Sequence, residues 1–442
     1  MTTKKLTDYI KQSISVQGTK KEEQPKPAQA RIQFKKETKF QETSIGKIPK
    51  DWRLERLSNI SSEIRAGGTP LRSRREYWNG DIPFVKIEDM TNSFKYLLTT
   101  SETITKEGLE NSNAWLVPEN SLLLAIYGSL GEVVINKIKV TTNQAILAII
   151  PRNPKDVEYL YYWFLYYKPI WKKYAKPTTQ PNLTKEIVEN ALLPYPPSSE
   201  REKIAEILST VDSAIDRVRR LVERAEKLKK GLMQELLTKG IGHKEYKETS
   251  IGKIPKEWQV KKLGSICQIG HGKRPSEVLP EGLYPIYGAG GFSGYTKDYI
   301  SEGPWTIIIG RVGVGSVGKV YLASGRIWVN DNAFYVLPST DEVCTPFIYY
   351  ALLSRGLERL AMRSAGGYAI ITQALLKKIE IPLPPVEEQK RITEILFTID
   401  EYINKLRKRL ELLKNIKRAL MEILLTGKVR VVIEFFSGVT NG

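Results

Sequence analysis

Arg65, Arg72, Arg74, Arg75, Lys86, Tyr127 and Gln144 fall in or beside predicted turns in the first half of this 442-residue chain. Lys273, Arg274, Tyr287, Arg311, Asn332 and Tyr368 do the same in the second half. Their chemistry suits a nucleic acid. A guanidinium fork matches the O6 and N7 acceptors of guanine, a side-chain amide matches the N6 and N7 edge of adenine, and any cation can neutralise a phosphate. These residues are the expected DNA contacts, although each taken singly is also what an ordinary soluble surface displays.

The overall charge agrees. Lys and Arg total 68 against 49 for Asp and Glu, giving a formal net charge of +19 and a pI near 9.5. Each phosphate neutralised by Lys or Arg releases condensed counterions, which provides affinity without sequence preference. A Lys-rich surface of the thermophile kind is the plainer account of the same charge. Cys267 and Cys344 are the only cysteines, and His243 and His271 the only histidines. No zinc-ligand spacing and no disulfide framework follow from them. No apolar run reaches the roughly 18 to 20 residues that cross a bilayer, and the N-terminus lacks a signal-peptide core, so the expected compartment is the cytoplasm.

Several motifs imitate enzyme sites. Gly313, Gly315, Gly318 and Lys319 have the spacing of a phosphate-binding loop, but Val320 stands where Ser or Thr would hold magnesium. The following residues read as a strand, where a helix N-terminus is required. A glycine-bent turn is the better account. No Asn-Pro-Pro-Phe or Asp-Pro-Pro-Tyr run is present to grip a flipped adenine, and no nuclease cluster of acids and lysine can be assigned. Tyr159, Tyr161, Tyr162, Trp163, Tyr166 and Tyr167 resemble a base-stacking platform. Their helical spacing, matched by Phe347, Tyr349, Tyr350 and Leu353, favours core packing.

The elements that position these residues occur twice. Glu42-Thr-Ser-Ile-Gly-Lys-Ile-Pro-Lys50 returns unchanged as Glu248 to Lys256, each copy followed by an acid and a Trp. Gly128-Ser-Leu-Gly131 matches Gly315-Ser-Val-Gly318, Asn143-Gln-Ala145 matches Asp331-Asn-Ala333, and Tyr161-Tyr162 matches Tyr349-Tyr350. The offset falls from 206 to 187 or 188 along the chain, so the first copy carries about 18 extra residues between Thr69 and Gly128.

Each copy ends in prolines and a charged turn, Leu193-Pro-Tyr-Pro-Pro197 before Ser199 to Ile204, and Ile381-Pro-Leu-Pro-Pro385 before Glu387 to Ile392. These are helix starts. Apolar residues then step by three or four from Ile204 to Leu236 and from Ile392 to Leu424, predicting two long helices with coiled-coil-like seams, capped by Gly240 and Gly427. The intervening heads are rich in short β runs such as Ser121 to Tyr127, Ala145 to Ile150, Trp305 to Ile309 and Ala333 to Leu337, with helical patches at Val157 to Tyr167 and Pro346 to Leu353. The first forty residues hold ten Lys/Arg, four acids and little apolar periodicity, and read as a mobile basic extension.

Two unlike heads alternating with two repeated helices, with both boundary motifs present twice, resemble the specificity subunit of type I restriction-modification systems. The likeness covers about residues 40 to 430. Arg201 departs from the pattern, since the second copy has Gln389 there. The resemblance implies an α+β fold: a first target-recognition domain at 40–197, a spacer helix at 198–239, a second recognition domain at 240–385 and a spacer helix at 386–428. Residues 1–39 and 429–442 remain as tails. It also implies double-stranded DNA, two modification (methyltransferase) subunits and restriction (translocase and nuclease) subunits as partners. The chain itself is then expected to be non-catalytic and to hold no cofactor, with S-adenosylmethionine, ATP and Mg2+ on the partner subunits.

The short linker Thr238 to Pro255 places the second head near the far end of the first helix. If the second helix folds back to bury its seam, the helices run antiparallel and the copies acquire a pseudo-twofold axis. A helix of about 38 residues is roughly 57 Å long, which makes it a ruler on the order of 15 base pairs. A duplicated coiled-coil scaffold whose heads bind proteins is the alternative reading.

Overall fold

The computed structural model describes residues 31–174, 182–363 and 369–434. They fall into two compact units. One is Leu221–Arg407; the other joins the residues up to Arg220 with those from Lys408 onward. Each unit contains one head and halves of both long helices.

The periodic segments fold as helices Ser198–Lys239 and Val386–Leu425. Their pairing runs antiparallel in both units. In the first-head unit Lys417 of the second helix meets Asp212 of the first at 2.7 Å, and Ile204 and Leu208 pack in one core with Met421 and Leu424. In the second-head unit Glu226 meets Arg407 at 2.6 Å, and one turn further on Lys229 meets Asp400 at 2.6 Å. Both helices end as expected at a glycine with positive φ, Gly240 at 65° and Gly427 at 69°. A Cβ at Gly240 would strike Trp258 and one at Gly427 would strike Pro49, beside Trp52, so each cap also seats its helix end against the repeated segment that opens a head.

The heads share a four-stranded antiparallel sheet. In the first its order is Ser61–Ala66, Ile146–Pro151, Leu122–Ala125, Val133–Asn136; in the second it is Cys267–His271, Ala333–Pro338, Thr306–Gly310, Val320–Ala323. The inner strands Leu122–Ala125, Ile146–Pro151 and Thr306–Gly310 are almost wholly buried, whereas Ala333–Pro338 is half-buried along one face. Most of the excess in the first head lies between Val85 and Ala125. It builds the helices Ile87–Asn92 and Lys106–Glu110 and the short strand Tyr96–Leu97, which extends that sheet to five strands.

The aromatic run lies in the helix Val157–Tyr174, and Tyr159, Tyr161, Tyr162 and Trp163 are buried. Core packing is what the helical spacing indicated. One of these rings ties head to helix, and so does its counterpart in the other copy. Tyr162 donates to Asp212 at 2.8 Å, and its repeat-mate Tyr350, in Thr345–Arg355, donates to Asp400 at 2.7 Å. The repeated tryptophans make a second tie, Trp52 Nε1 to Glu200 at 3.1 Å and Trp258 Nε1 to Glu388 at 2.9 Å. Arg201 and Gln389 share one bond, Arg201 donating to the Pro196 carbonyl and Gln389 Nε2 to that of Pro384 at 2.8 Å, but Arg201 alone adds a buried ion pair, to Asp156 at 2.8 Å.

One expectation needs correction. Against the expectation of a mobile extension up to residue 39, Arg31–Lys36 forms a strand paired antiparallel with Val429–Glu434, inside the expected C-terminal tail. The pairing is clamped by Arg430, which donates to Glu37 at 2.7 Å, to Asp51 at 2.7 and 2.8 Å, and to Glu200 at 2.8 and 2.9 Å. Backbone N–H of Lys39 and then the Arg430 guanidinium hold the Glu37 carboxyl down at about 2. A pairing between chain ends leaves no local pattern to read. The remaining residues of the extension, 1–30, lie outside the described residues.

Candidate nucleic-acid interface

In both heads three turns converge where strands of the main sheet end. In the first, Gly67 follows the strand Ser61–Ala66, and a Cβ there would lie 2.0 Å from the Thr142 carbonyl. Gly272, after Cys267–His271, stands equally close to Asn330, at 1.9 Å. Only glycine lets these turns cross, and the crossing brings the loop after the first strand beside the turn at 143–145 or 330–332. Further bonds hold the groups together. Thr69 Oγ1 donates to Gln144 at 2.7 Å, Ile126 N to the Ala145 carbonyl at 2.9 Å, and Arg311 N to the Asn332 carbonyl at 2.9 Å.

Asn143 accepts from Ala145 N at 3.0 Å, and Asn330 accepts from Asn332 N at 3.0 Å. These identical Asx turns revise the sequence pairing by one residue, since Asn143-Gln-Ala145 corresponds to Asn330-Asp-Asn332. The phosphate-loop imitation resolves as a turn. Gly313, Gly315 and Gly318 all have positive φ, and a strand, Val320–Ala323, follows.

Most of the expected contacts gather at these turns, in two states. Arg72 lies 3.7 Å from the Trp78 ring centre and bonds Glu102 at 2.7 Å; Lys86 bonds the other oxygen of Glu102 at 2.9 Å. Burial pushes the Glu102 carboxyl up, but the bonds from Lys86 and Arg72 outweigh it and hold the group below its ordinary range, while Glu102 raises Lys86. Both cations are therefore held by one carboxylate, which offsets one of their two charges. Arg65 lies over Trp115 at 5.1 Å, and Arg74 pairs with Glu76 at 3.3 Å. Arg311 donates to the Asp331 carbonyl at 3.0 Å. Arg75, Lys273 and Arg274 are exposed, with no side-chain partner among the described residues.

Tyr127 and Gln144 are exposed beside the crossing in the first head, as is Asn332 in the second. Tyr287 is half-buried, its hydroxyl pushed up by burial, and its carbonyl accepts from Asn330 N at 2.9 Å. It serves the frame more than the surface. Tyr368 lies outside the described residues.

Sequence reasoning missed Trp78, Trp115, Glu102 and Phe292. The first two brace Arg72 and Arg65, Glu102 binds two of the chosen cations, and Phe292 is 55% exposed. A Trp beside a turn arginine was a usable signal; Glu102, 30 residues from Arg72, gave none. Among the described residues no group of three or more His, Cys, Asp or Glu is placed to hold a metal, and no helix is long and apolar enough to cross a membrane.

Known proteins resemble this chain in sequence and in fold. The family described as type I restriction modification DNA specificity domain matches residues 49–227 and again 255–416. The MjaVIII specificity subunit of Methanocaldococcus jannaschii is 29% identical over 90% of this chain and 98% of its own length. The putative MjaX specificity subunit of the same organism is 30% identical over 90% of this chain and 99% of its own. Among solved structures, the S subunit of the type I restriction-modification system of M. genitalium superposes with a TM-score of 0.60. It covers 85% of this chain and 96% of its own, at 19% identity, a likeness of fold. With the family matching most of the chain in two successive segments, one on each head, the chain belongs to the specificity subunits of type I restriction-modification systems.

Proposed function

We propose that this chain selects the DNA sequence for a type I restriction-modification complex, each head reading one half of an asymmetric bipartite site. The long helices set the unread gap between the halves and dock two modification subunits, to which restriction subunits are added. The chain is non-catalytic in this reading. It acts in the cytoplasm, while S-adenosylmethionine, ATP and Mg2+ are bound by its partners.

The carrying observation is a repeated frame with unlike edges. The ties Trp52–Glu200 and Trp258–Glu388, and Tyr162–Asp212 and Tyr350–Asp400, are the same in both copies. The crossing turns they support carry different side chains, as an asymmetric target requires. A helix of 42 residues is about 63 Å long, which suits a spacer of DNA length.

Exchange of residues 258 to 381 for the corresponding head of another family member tests independent reading. The second half-word should change while the first and the gap persist. Alteration of both halves would refute it.

A further inference from the structure

The second head has an open recess where the first is closed by charge. Thr142 pairs with Val85 in one head as Val329 pairs with Tyr287 in the other. The next residues, Lys86 and Gly288, therefore occupy the same place. In the first head Lys86, Glu102 and Arg72 fill it with a closed ionic network. In the second, Gly288 ends a strand that turns through Ala289 and Gly290 into Gly291–Thr296, and a recess of about 350 Å³ opens between this hairpin and the turn at Asn330 to Asn332.

The rim has a defined chemistry. Asn332 is exposed, and its side-chain amide has no partner among the described residues, whereas the Asn330 amide oxygen is committed to its turn. Phe292 is more than half exposed, its ring held edge-on by Tyr295 at 5.1 Å and by Tyr287 at 6.3 Å. Leaving such a ring in water costs about 25 cal/mol for each Å² that a partner would otherwise cover. The Arg311 guanidinium is turned to the Asp331 carbonyl. Lys273 and Arg274, on the strand-end loop that bonds Val329, remain available for phosphate.

A free amide beside an apolar ring fits one base pair best. The amide offers a donor and an acceptor to N7 and N6 of adenine, and the thymine opposite presents its methyl group in the same major groove, which admits a two-stranded ribbon such as this hairpin. We infer that the second head reads an A·T pair, with Asn332 on the adenine edge and Phe292 against the thymine methyl. In the first head Glu102 ties up the ammonium and guanidinium groups at the same place, and no recess or free amide is left there for the same contact. The two heads thus differ in the kind of contact as well as in the word read. The inference rests on the DNA-reading function proposed above.

The test uses the full chain assembled with its modification subunits, comparing methylated sites for the unaltered chain, Asn332→Ala and Phe292→Ser. Both variants should keep the first half-word and the gap, which also shows that they fold and assemble. Asn332→Ala should lose about ten- to a hundredfold of discrimination at one A·T pair of the second half-word. In duplexes, 7-deazaadenine at that pair should weaken the unaltered complex and leave Asn332→Ala unaffected. Deoxyuridine for its thymine, which removes one methyl, should weaken the unaltered complex about fourfold and leave Phe292→Ser unaffected. An unchanged second half-word in both variants, or analogues that weaken every complex alike, would overturn the inference. Absence of any sequence preference in the unaltered complex would instead overturn the DNA-reading function, so the two failures are distinguishable.

Discussion

The Lys417 ammonium lies 2.7 Å from the Asp212 carboxylate, joining the second long helix to the first beneath Tyr162. The repeat-mates Lys229 and Asp400 make the reciprocal bond beneath Tyr350, with the helices exchanging roles. This exchange is what an antiparallel, internally duplicated pair requires. The two copies differ in burial, since the Asp212 side chain is 4% exposed and that of Asp400 is 28%.

That difference predicts unequal costs. Asp212→Ala removes a buried carboxylate from a half-buried ammonium and a buried phenol and should destabilise the chain by about 3 kcal/mol. Asp400→Ala removes a carboxylate that already shares its charge with water, 28% exposed, and should cost about 1 kcal/mol. Denaturant titration of the two variants checks this, and equal losses would contradict it.

The closure of the chain ends should be acid-sensitive. Glu37 is held at about 2 by the Lys39 N–H and Arg430, below its ordinary value of 4.5. A depressed folded pKa stabilises fully above the unfolded value, and the stabilisation fades as pH falls from there towards 2. Glu37→Gln should therefore flatten the acid limb of a stability–pH curve below about 4.5. An unchanged limb would show that the clamp contributes nothing.

The cations at the crossing turns should separate by their partners. Arg274→Ala removes an unpaired charge and should lower the slope of log affinity against log salt by about 0.9 if one phosphate contact is lost. Glu102→Gln removes the negative charge shared by Arg72 and Lys86 and should raise affinity for DNA of any sequence. Filter or fluorescence binding across a salt series gives both values, and a fall in affinity for Glu102→Gln would contradict the account.

If the helices measure the gap, their length must set it. Four residues inserted into both helices add about 6 Å, close to two base pairs of B-DNA. The selected site should lengthen accordingly, and an unchanged gap would refute the ruler.

Much of the frame was legible because its signals are local or repeated. The seams from Ile204 and Ile392, the caps Gly240 and Gly427, and the strands around Leu122 and Ile307 all follow from period and flanking residues. The pairing of Arg31–Lys36 with Val429–Glu434 was not, since its partners lie at opposite ends of the chain and the basic composition suggested disorder. The candidate site was legible in its location more than in its chemistry. Residue type picked out Arg72 and Lys86, but only the folded chain shows that Glu102 already binds both. The Asx turns of Asn143 and Asn330 were hidden by a matching of motifs one residue out of register.

The central claim is that one chain reads two unlike DNA words across a fixed gap. Mapping methylated adenines in cells that carry this chain with its modification subunit tests it most directly. The account predicts a single bipartite site, two different short words separated by an unread spacer of constant length. A contiguous word, a palindrome, or methylation without sequence preference would contradict it.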